Sequence, residues 1–241
     1  MSTRHHHGEI TEYELSKADG FEQTAELVLD VYDGERIIHI TSPHNPTGSE
    51  WTRDEIRTLL DAVDDRTLVV VDEAYGEYSE EPSSIGLLDD YDNLAVLRTF
   101  SKAYGLAGLR IGYAAVPESW GDAYARVNTP FAANEVACRA ALAALDDDAH
   151  VEQSVDSARW AREYMREQLD APTFDSAANF VLADVGDASR IAAASQRAGV
   201  IIRDCSSFGL PGCVRISCGT REQTKTAVET LNEILAEVTP A

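Results

Sequence analysis

The residues best suited to chemistry lie in one stretch, Thr99–Gly112, which reads TFSKAYGLAGLRIG. A lysine acts as a nucleophile or base where a partly desolvated pocket with fixed polar neighbours disfavours its charged form. The neighbours of Lys102 meet this need, because Ser101 and Thr99 carry hydroxyl groups and Arg110 offers a planar fork suited to phosphate. The glycines of the stretch allow the backbone to approach a ligand closely. We therefore predict a phosphate-holding loop with a reactive lysine.

An ordinary solvated lysine on a surface loop is the alternative interpretation, and other parts of the chain decide between the two. Ser42–Gly48 (SPHNPTG) follows the mostly apolar run Ile37–Ile40, and Asp72–Tyr75 (DEAY) follows the apolar run Val69–Val71. Polar groups just past the ends of buried strands lie where open α/β sheets bind their ligands. The three segments therefore predict a single site at the carboxyl edge of a parallel sheet.

In their order and spacing, these segments resemble the pyridoxal-phosphate aminotransferases of fold type I, and the family of histidinol-phosphate aminotransferases in particular. The resemblance covers residues 8 to 238. Each motif alone has low to moderate specificity, whereas the succession of Asn45, Asp72, Tyr75, Lys102 and Arg110 is specific. The resemblance implies an α/β protein with a mostly parallel sheet in a large domain, a small α+β domain at the C-terminal end, and pyridoxal 5'-phosphate as cofactor.

The resemblance also implies a role for each residue around the cofactor ring. Lys102 matches the lysine that bonds covalently to the cofactor aldehyde and later moves the substrate proton. Asp72 matches the carboxylate beside the pyridine nitrogen, where a negative charge keeps the nitrogen protonated and the ring electron-accepting. Asn45 and Tyr75 match the side chains that hydrogen-bond the ring hydroxyl. Simpler interpretations remain open, namely a turn at Asn45 and a helix cap at Asp72.

The phosphate cup is matched only in part, by Thr99, Ser101 and Arg110. The family carries roughly a hundred further residues before the Asn45 loop, with a glycine-led helix N-terminus for the cofactor phosphate and an aromatic ring that stacks on the cofactor. Residues 1 to 44 contain no match to these features. We therefore expect an N-terminally truncated member of the family or a fragment. His44 stands where the family usually has asparagine, and we expect it to be a tolerated variation.

Two arginines in the second half of the chain are candidates for substrate binding. Arg215 is a lone charge inside the apolar run 213–217, and such a charge needs a partner that offsets its desolvation. The resemblance implies that Arg215 holds the substrate carboxylate or its equivalent through a bidentate pair, and that Arg203 binds the phosphate of histidinol phosphate. The alternatives are an ion pair between Arg203 and Asp204 and a structural salt bridge for Arg215.

The activity that the resemblance implies is transamination between histidinol phosphate and 2-oxoglutarate, giving imidazole acetol phosphate and glutamate in histidine biosynthesis. Its partners would be a small-molecule amino donor and a 2-oxo acid. A threonine-phosphate decarboxylase or an aromatic aminotransferase is an alternative, because related folds carry several reactions. A catalytically inactive remnant with a dimerising or regulatory role is a third. A homodimer is expected from the resemblance, since a second subunit completes the family's sites.

The amino-acid composition limits the classes of partner that the chain can bind. The 241 residues carry a net charge of -22, with 42 acidic and 20 basic residues, which disfavours nucleic acid and anionic membranes. Arginines far outnumber the three lysines, and this balance on an acidic chain predicts adaptation to high salt, an acidic cytosolic protein being the alternative. Four cysteines without CxxC spacing predict reduced thiols. The run His5–His7 is expected to be exposed, and no metal site is expected. Without a signal core or a membrane span, we predict a cytoplasmic location.

Periodicity predicts the elements that position these residues. In the first half we expect strands at 9–15, 37–41, 68–71, 91–100 and 111–116, the last antiparallel or at a switch in the sheet, and helices at 20–32 and from Thr52, where Thr52 and Glu55 suggest a capping box. In the second half we expect helices at 132–145, 151–169, 187–198 and from Thr220, with strands at 179–185, 200–203 and 213–218. The domains would be 1–147, which binds the cofactor, and 148–241.

Overall fold

The computed structural model describes residues 8–127 and 132–238, so the His5–His7 run lies outside the described part. The strands are β1 (Ile37–Thr41), β2 (Leu68–Asp72), β3 (Leu94–Thr99), β4 (Gly112–Ala115), β5 (Phe180–Asp184), β6 (Arg203–Asp204) and β7 (Cys213–Ser217). The helices are α1 (Ala25–Leu29), α2 (Arg53–Ala62), α3 (Gly121–Val127), α4 (Glu135–Leu145), α5 (Asp148–Gln168), α6 (Ala188–Arg197) and α7 (Arg221–Val238). The α/β class is as expected.

The first sheet has the order β1-β2-β3-β4, which is also the order of the chain. The strands β1, β2 and β3 run parallel, and β4 runs antiparallel to β3. The apolar side chains of Ile40, Val69, Val71 and Leu94 are fully buried. They pack in one core with Leu59 of α2, as predicted for strands covered by crossover helices.

The start of α2 confirms half of the expected capping box. Thr52 Oγ1 accepts the N–H of Glu55 at 3.1 Å. The Glu55 carboxylate does not return to Thr52. Its Oε2 instead accepts the N–H of Ala25 at 2.6 Å, the first residue of α1, so that Glu55 ties two helices together.

The second sheet has the order β5-β7-β6 and is antiparallel throughout. Its core side chains include Val181, Ile191, Val214 and Leu231, which come from both strands and helices. The last helix, α7, begins at a reciprocal cap. There the Thr220 N–H donates to Gln223 Oε1 at 3.0 Å and the Gln223 N–H donates to Thr220 Oγ1 at 3.2 Å, as the sequence predicts.

Three predicted elements are corrected by the structure. Residues 9–15 form no strand, since their backbone pairs with no strand of the described part. The helix expected at 20–32 is confined to α1, because Gly20 and Phe21 have φ angles of 67° and 63°, which no right-handed helix contains. The strand expected at 200–203 shortens and shifts to β6, where Arg203 and Asp204 alone pair with β7.

The predicted domain boundary falls between α4, which ends at Leu145, and α5, which begins at Asp148. Ala158 of α5 packs in one cluster with Tyr75 and Tyr78, which follow β2. Further along the same helix, Met165 packs in the core of the second sheet. The long helix therefore contacts both sheets, and the division into 1–147 and 148–241 stays a prediction. No helix in the described part is long and apolar enough to cross a lipid bilayer.

All four cysteines are free thiols, as predicted, and two of them should make stability depend on pH. Burial raises the pKa of Cys205 to about 11 and that of Cys218 to about 12. The folded chain therefore keeps these protons between about pH 9 and pH 11, whereas the unfolded chain releases them. The unfolded state binds fewer protons in this window, so the free energy of unfolding should fall as pH rises, by up to about 1.4 kcal/mol per pH unit for each thiol.

Denaturant titrations at several pH values test this prediction. Cys218→Ala should show a shallower decline of the free energy of unfolding above pH 9 than the unmodified chain. Ser217→Ala, at the exposed neighbouring position, is the control and should keep the original slope. Equal slopes for the unmodified chain and Cys218→Ala would contradict the burial argument.

Candidate active site

The parallel strands bring the predicted site residues to one edge of the first sheet. Thr41, the last residue of β1, pairs with Asp72, the last residue of β2, and Asp72 pairs with Leu97 of β3. The polar loops that follow these strands therefore begin side by side. Because β4 is antiparallel and its first residue, Gly112, pairs with Thr99, the loop before it returns to the same edge.

A cavity of about 330 Å³ opens at this edge of the sheet. Its walls include five residues that the sequence singled out: Asp72, Thr99, Ser101, Lys102 and Arg110. The set comprises a carboxylate, two hydroxyls, an amine and a guanidinium. The geometry thus joins two of the three segments, Asp72–Tyr75 and Thr99–Gly112, whereas no residue of Ser42–Gly48 lines this cavity.

Lys102 contacts the ring of Tyr75 within the site. The lysine Nζ lies 4.7 Å from the centroid of the ring, a distance at which a cation is attracted to an aromatic face. Tyr75 is 6% exposed and makes an edge-to-face contact with Phe180, with ring centroids 5.3 Å apart. The contacts direct the amine of Lys102 and hold the Tyr75 ring.

Asp72 is placed by its own turn. Its Oδ1 accepts the N–H of Ala74 at 3.0 Å, and the side chain remains half-buried at the wall of the cavity. This hydrogen bond shapes the turn between β2 and Tyr75. The helix cap considered from the sequence is not formed, since no helix in the described part begins at Asp72.

The two hydroxyl groups and Arg110 lie at the end of β3 and in the segment between β3 and β4. Thr99 Oγ1 donates to Ser101 Oγ at 3.0 Å and accepts the N–H of Ser101 at 3.1 Å. Arg110 has a left-handed backbone, with φ 53°, and its Nη1 donates to the carbonyl of Ala107 at 2.8 Å. The guanidinium is exposed and keeps further N–H donors that can meet an anion.

Asn45 lies at a second part of the site, where the two sheets meet. Arg215 Nη1 donates to Asn45 Oδ1, and the guanidinium lies 5.0 Å from the centroid of the Phe180 ring. Arg215 Nε is buried and has no hydrogen-bond partner among the described residues. No carboxylate of the described part forms a salt bridge with Arg215. The structural salt bridge considered from the sequence is therefore not formed there.

Arg203 pairs directly with Arg215 across the second sheet, so two like charges lie on neighbouring strands. Such a pair is unfavourable unless an anion compensates it. Arg203 is exposed, lies 5.4 Å from the Phe208 ring and donates to Ser207 Oγ at 3.3 Å. Asp204 accepts instead from Ser189 and Ser206, so the alternative ion pair between Arg203 and Asp204 is not formed.

His44 turns away from this site. Its Nδ1 lies 2.8 Å from Thr47 Oγ1, and its side chain lines a separate cavity beside β1. Burial lowers the pKa of His44, which favours the neutral ring. The replacement of asparagine by histidine therefore leaves the cavity around Lys102 unchanged in composition.

The sequence did not single out three residues that border the site, Arg98, Glu73 and Glu77. Arg98 lines the cavity of Lys102 and donates to both carboxylates. Burial raises the pKa of Glu77 even though Arg98 opposes the shift. The sequence did offer a signal for Arg98, which directly follows the apolar run 94–97. A charge at the end of a buried strand requires a partner of opposite charge.

Comparison with known proteins agrees with this fold. The family model described as aminotransferase class I and II matches residues 1–231. The chain therefore belongs to the class I and II aminotransferases. Within that family it is 68% identical over 241 residues to a histidinol-phosphate aminotransferase of Haloferax volcanii, an alignment that covers all of this chain and 67% of the relative. The chain spans about two thirds of the length of the curated relatives it matches.

Solved structures of aminotransferases share this fold. A histidinol-phosphate aminotransferase from Sinorhizobium meliloti, in complex with pyridoxal-5'-phosphate, has a TM-score of 0.78 and 28% identity, over 85% of this chain and 58% of that one. The enzyme of the same name from Clostridium acetobutylicum has a TM-score of 0.89 at 20% identity, over 98% of this chain and 74% of that one, and supports the fold alone. The fold type I architecture is thereby confirmed.

Proposed function

We propose that this chain carries the site of a pyridoxal-phosphate-dependent aminotransferase that uses histidinol phosphate as amino donor and 2-oxoglutarate as acceptor. The convergence of Asp72, Lys102 and Arg110 in one cavity is the observation that carries the proposal. The carboxylate of Asp72 suits a pyridinium nitrogen, and the amine of Lys102 suits an aldehyde. The guanidinium of Arg110 suits a phosphate. The set of side chains in this cavity therefore fits pyridoxal phosphate.

Each group of the cofactor has a residue that would hold it. Asp72 would pair with the ring nitrogen, Lys102 would bond to the aldehyde, and Thr99, Ser101 and Arg110 would receive the phosphate. Asn45 and Tyr75 would hydrogen-bond the ring hydroxyl. When bound, the cofactor supplies an electron-accepting ring that stabilises negative charge on the substrate carbon.

Lys102 then serves as the general base and acid. Its Nζ accepts the proton of the substrate carbon that bears the amine and later donates it back. Tyr75 would position this amine, because its ring lies 4.7 Å from Nζ. No other lysine in the described ranges lines this cavity.

The two arginines of the second sheet would bind the anionic end of each substrate. The partnerless Nε of Arg215 and the facing charge of Arg203 are both satisfied by a phosphate or a carboxylate. Histidinol phosphate offers the first of these groups and 2-oxoglutarate the second. A homodimer, a cytoplasmic location and adaptation to high salt stay predictions from sequence and resemblance.

Visible absorbance tests the proposal on the chain as it is. In concentrated salt, added pyridoxal phosphate should produce a yellow band of protein-bound cofactor, and histidinol phosphate should bleach it. 2-Oxoglutarate should then restore the band. A chain that is folded by circular dichroism but gives no band would overturn the proposal. Bleaching by an aromatic amino acid but not by histidinol phosphate would overturn the choice of substrate.

A further inference from the structure

A buried ion triad lies beside the residues that would hold the cofactor. Arg98 Nη1 donates to Glu73 Oε2 at 2.7 Å, and Arg98 Nη2 donates to Glu77 Oε1 at 2.8 Å. The side chains are 13%, 6% and 6% exposed in the order Arg98, Glu73, Glu77, so salt in the medium screens them little. The guanidinium fork binds two carboxylates at once, which a lysine cannot do in the same geometry.

The triad joins the two loops that carry the reactive groups. Glu77 lies in the short 3-10 turn Gly76–Tyr78, whose N-terminal cap is Tyr75. Arg98 lies four residues before Lys102, at the end of β3. The contact between Arg98 and Glu77 therefore fixes the turn that holds the Tyr75 ring against the lysine.

The local backbone is shaped to admit this contact. A Cβ atom at Gly76 would lie 2.7 Å from Arg98 Nη1, so only glycine leaves the guanidinium its place. Glu73 is held from its other side, since it accepts the N–H of Ser84 and the hydroxyl of Ser83, each at 2.7 Å. The triad is thus fixed to three segments of the chain.

The triad is poorly arranged for stability alone. Arg98 Nε and Glu77 Oε2 are buried without a hydrogen-bond partner in the described part. Unsatisfied buried groups oppose folding, and a buried ion pair is often no better for stability than apolar side chains of the same size. Its location between the two reactive loops offers another role.

We propose that Arg98, Glu73 and Glu77 are positioning residues, which hold Tyr75 and Lys102 in the relative placement that the site requires. The inference rests on the proposed function for the use of that placement. The placement itself belongs to the chain without cofactor and is measurable there. Both terminal nitrogens of Arg98 are bound to carboxylates, so Arg98 acts through its neighbours.

Competitive acylation of the lysines, read by mass spectrometry without cofactor, tests the proposal. Arg98→Lys keeps the charge but loses the fork, and Glu77→Gln keeps the shape but loses the charge. In both variants the Lys102 amine should leave the Tyr75 ring and react about 2- to 5-fold faster at fixed pH, the factor that corresponds to one exposed cation–π contact. Lys17 and Lys225 are internal references and should react at unchanged rates.

Arg66→Lys, in the exposed pair of Arg66 with Asp64, is the matched control and should leave all three rates unchanged. Thermal unfolding identifies any variant that fails to fold, and the other variant then decides. An unchanged Lys102 rate in a folded variant, or an equal acceleration of all three lysines, would overturn the positioning role. A chain that binds no pyridoxal phosphate would overturn the proposed function and leave this result standing.

Discussion

Replacing Lys102 by alanine is expected to abolish the visible band of bound cofactor and to reduce turnover by at least about 100- to 10 000-fold, the usual contribution of a positioned general base. The variant loses both the amine that bonds to the cofactor and the group that moves the substrate proton. Borohydride reduction of the unmodified chain with pyridoxal phosphate should leave a stable mass adduct on the peptide that contains Lys102. The variant should show no adduct at that peptide.

Lys225→Ala is the control for this experiment. Lys225 is exposed on α7, so its loss should change neither the band nor the adduct. Turnover that survives in Lys102→Ala at the level of the control would contradict the assignment of the lysine. An adduct on Lys17 or Lys225 in place of Lys102 would contradict it as well.

Replacing Arg215 by lysine should raise KM for histidinol phosphate and for 2-oxoglutarate, with the cofactor band unchanged. Lysine keeps the charge but cannot offer two parallel donors while it also bonds to Asn45. A hydrogen bond to a charged group contributes about 1.5–3 kcal/mol, which corresponds to roughly 10- to 150-fold in affinity. Steady-state kinetics with each substrate varied in turn measures the change.

Arg221→Lys is a matched control, because it also removes a guanidinium that lies over an aromatic ring. Arg221 is 4.7 Å from the Trp160 ring, compared with 5.0 Å between Arg215 and the Phe180 ring. The control should leave KM unchanged for both substrates. Equal changes in the two variants, or a fall in kcat alone for Arg215→Lys, would show that Arg215 does not bind substrate anions.

The parts of the site that follow strand ends could be predicted from the sequence. An apolar run that ends in polar residues specifies both a buried strand and the edge where it stops, as at Asp72 and in the loop of Lys102. The apolar run at 111–116 likewise predicts a strand, although it left open whether that strand is antiparallel, and β4 is mostly exposed. These predictions depend on residues that are close in sequence.

The contacts between distant segments could not be predicted in this way. The bond between Arg215 and Asn45 joins residues 170 positions apart, and the triad of Arg98 depends on the register between β2 and β3. Neither the contact between Asn45 and Arg215 nor that register is encoded in a local sequence pattern. The positive φ angle at Phe21 could not be predicted either, because phenylalanine rarely adopts it and is not a typical turn residue.

In the first sheet the strand order follows the chain order. Substitutions in the first sheet and in the second sheet should therefore have different effects. Every residue that lines the cavity of Lys102 lies between residues 72 and 110, whereas the paired arginines come from strands near residues 203 and 215. A substitution in β6 or β7 would therefore leave the residues of the proposed cofactor cavity in place and weaken the proposed binding of substrate anions. A substitution between β2 and β4 that disturbs this cavity should abolish the visible band of bound cofactor.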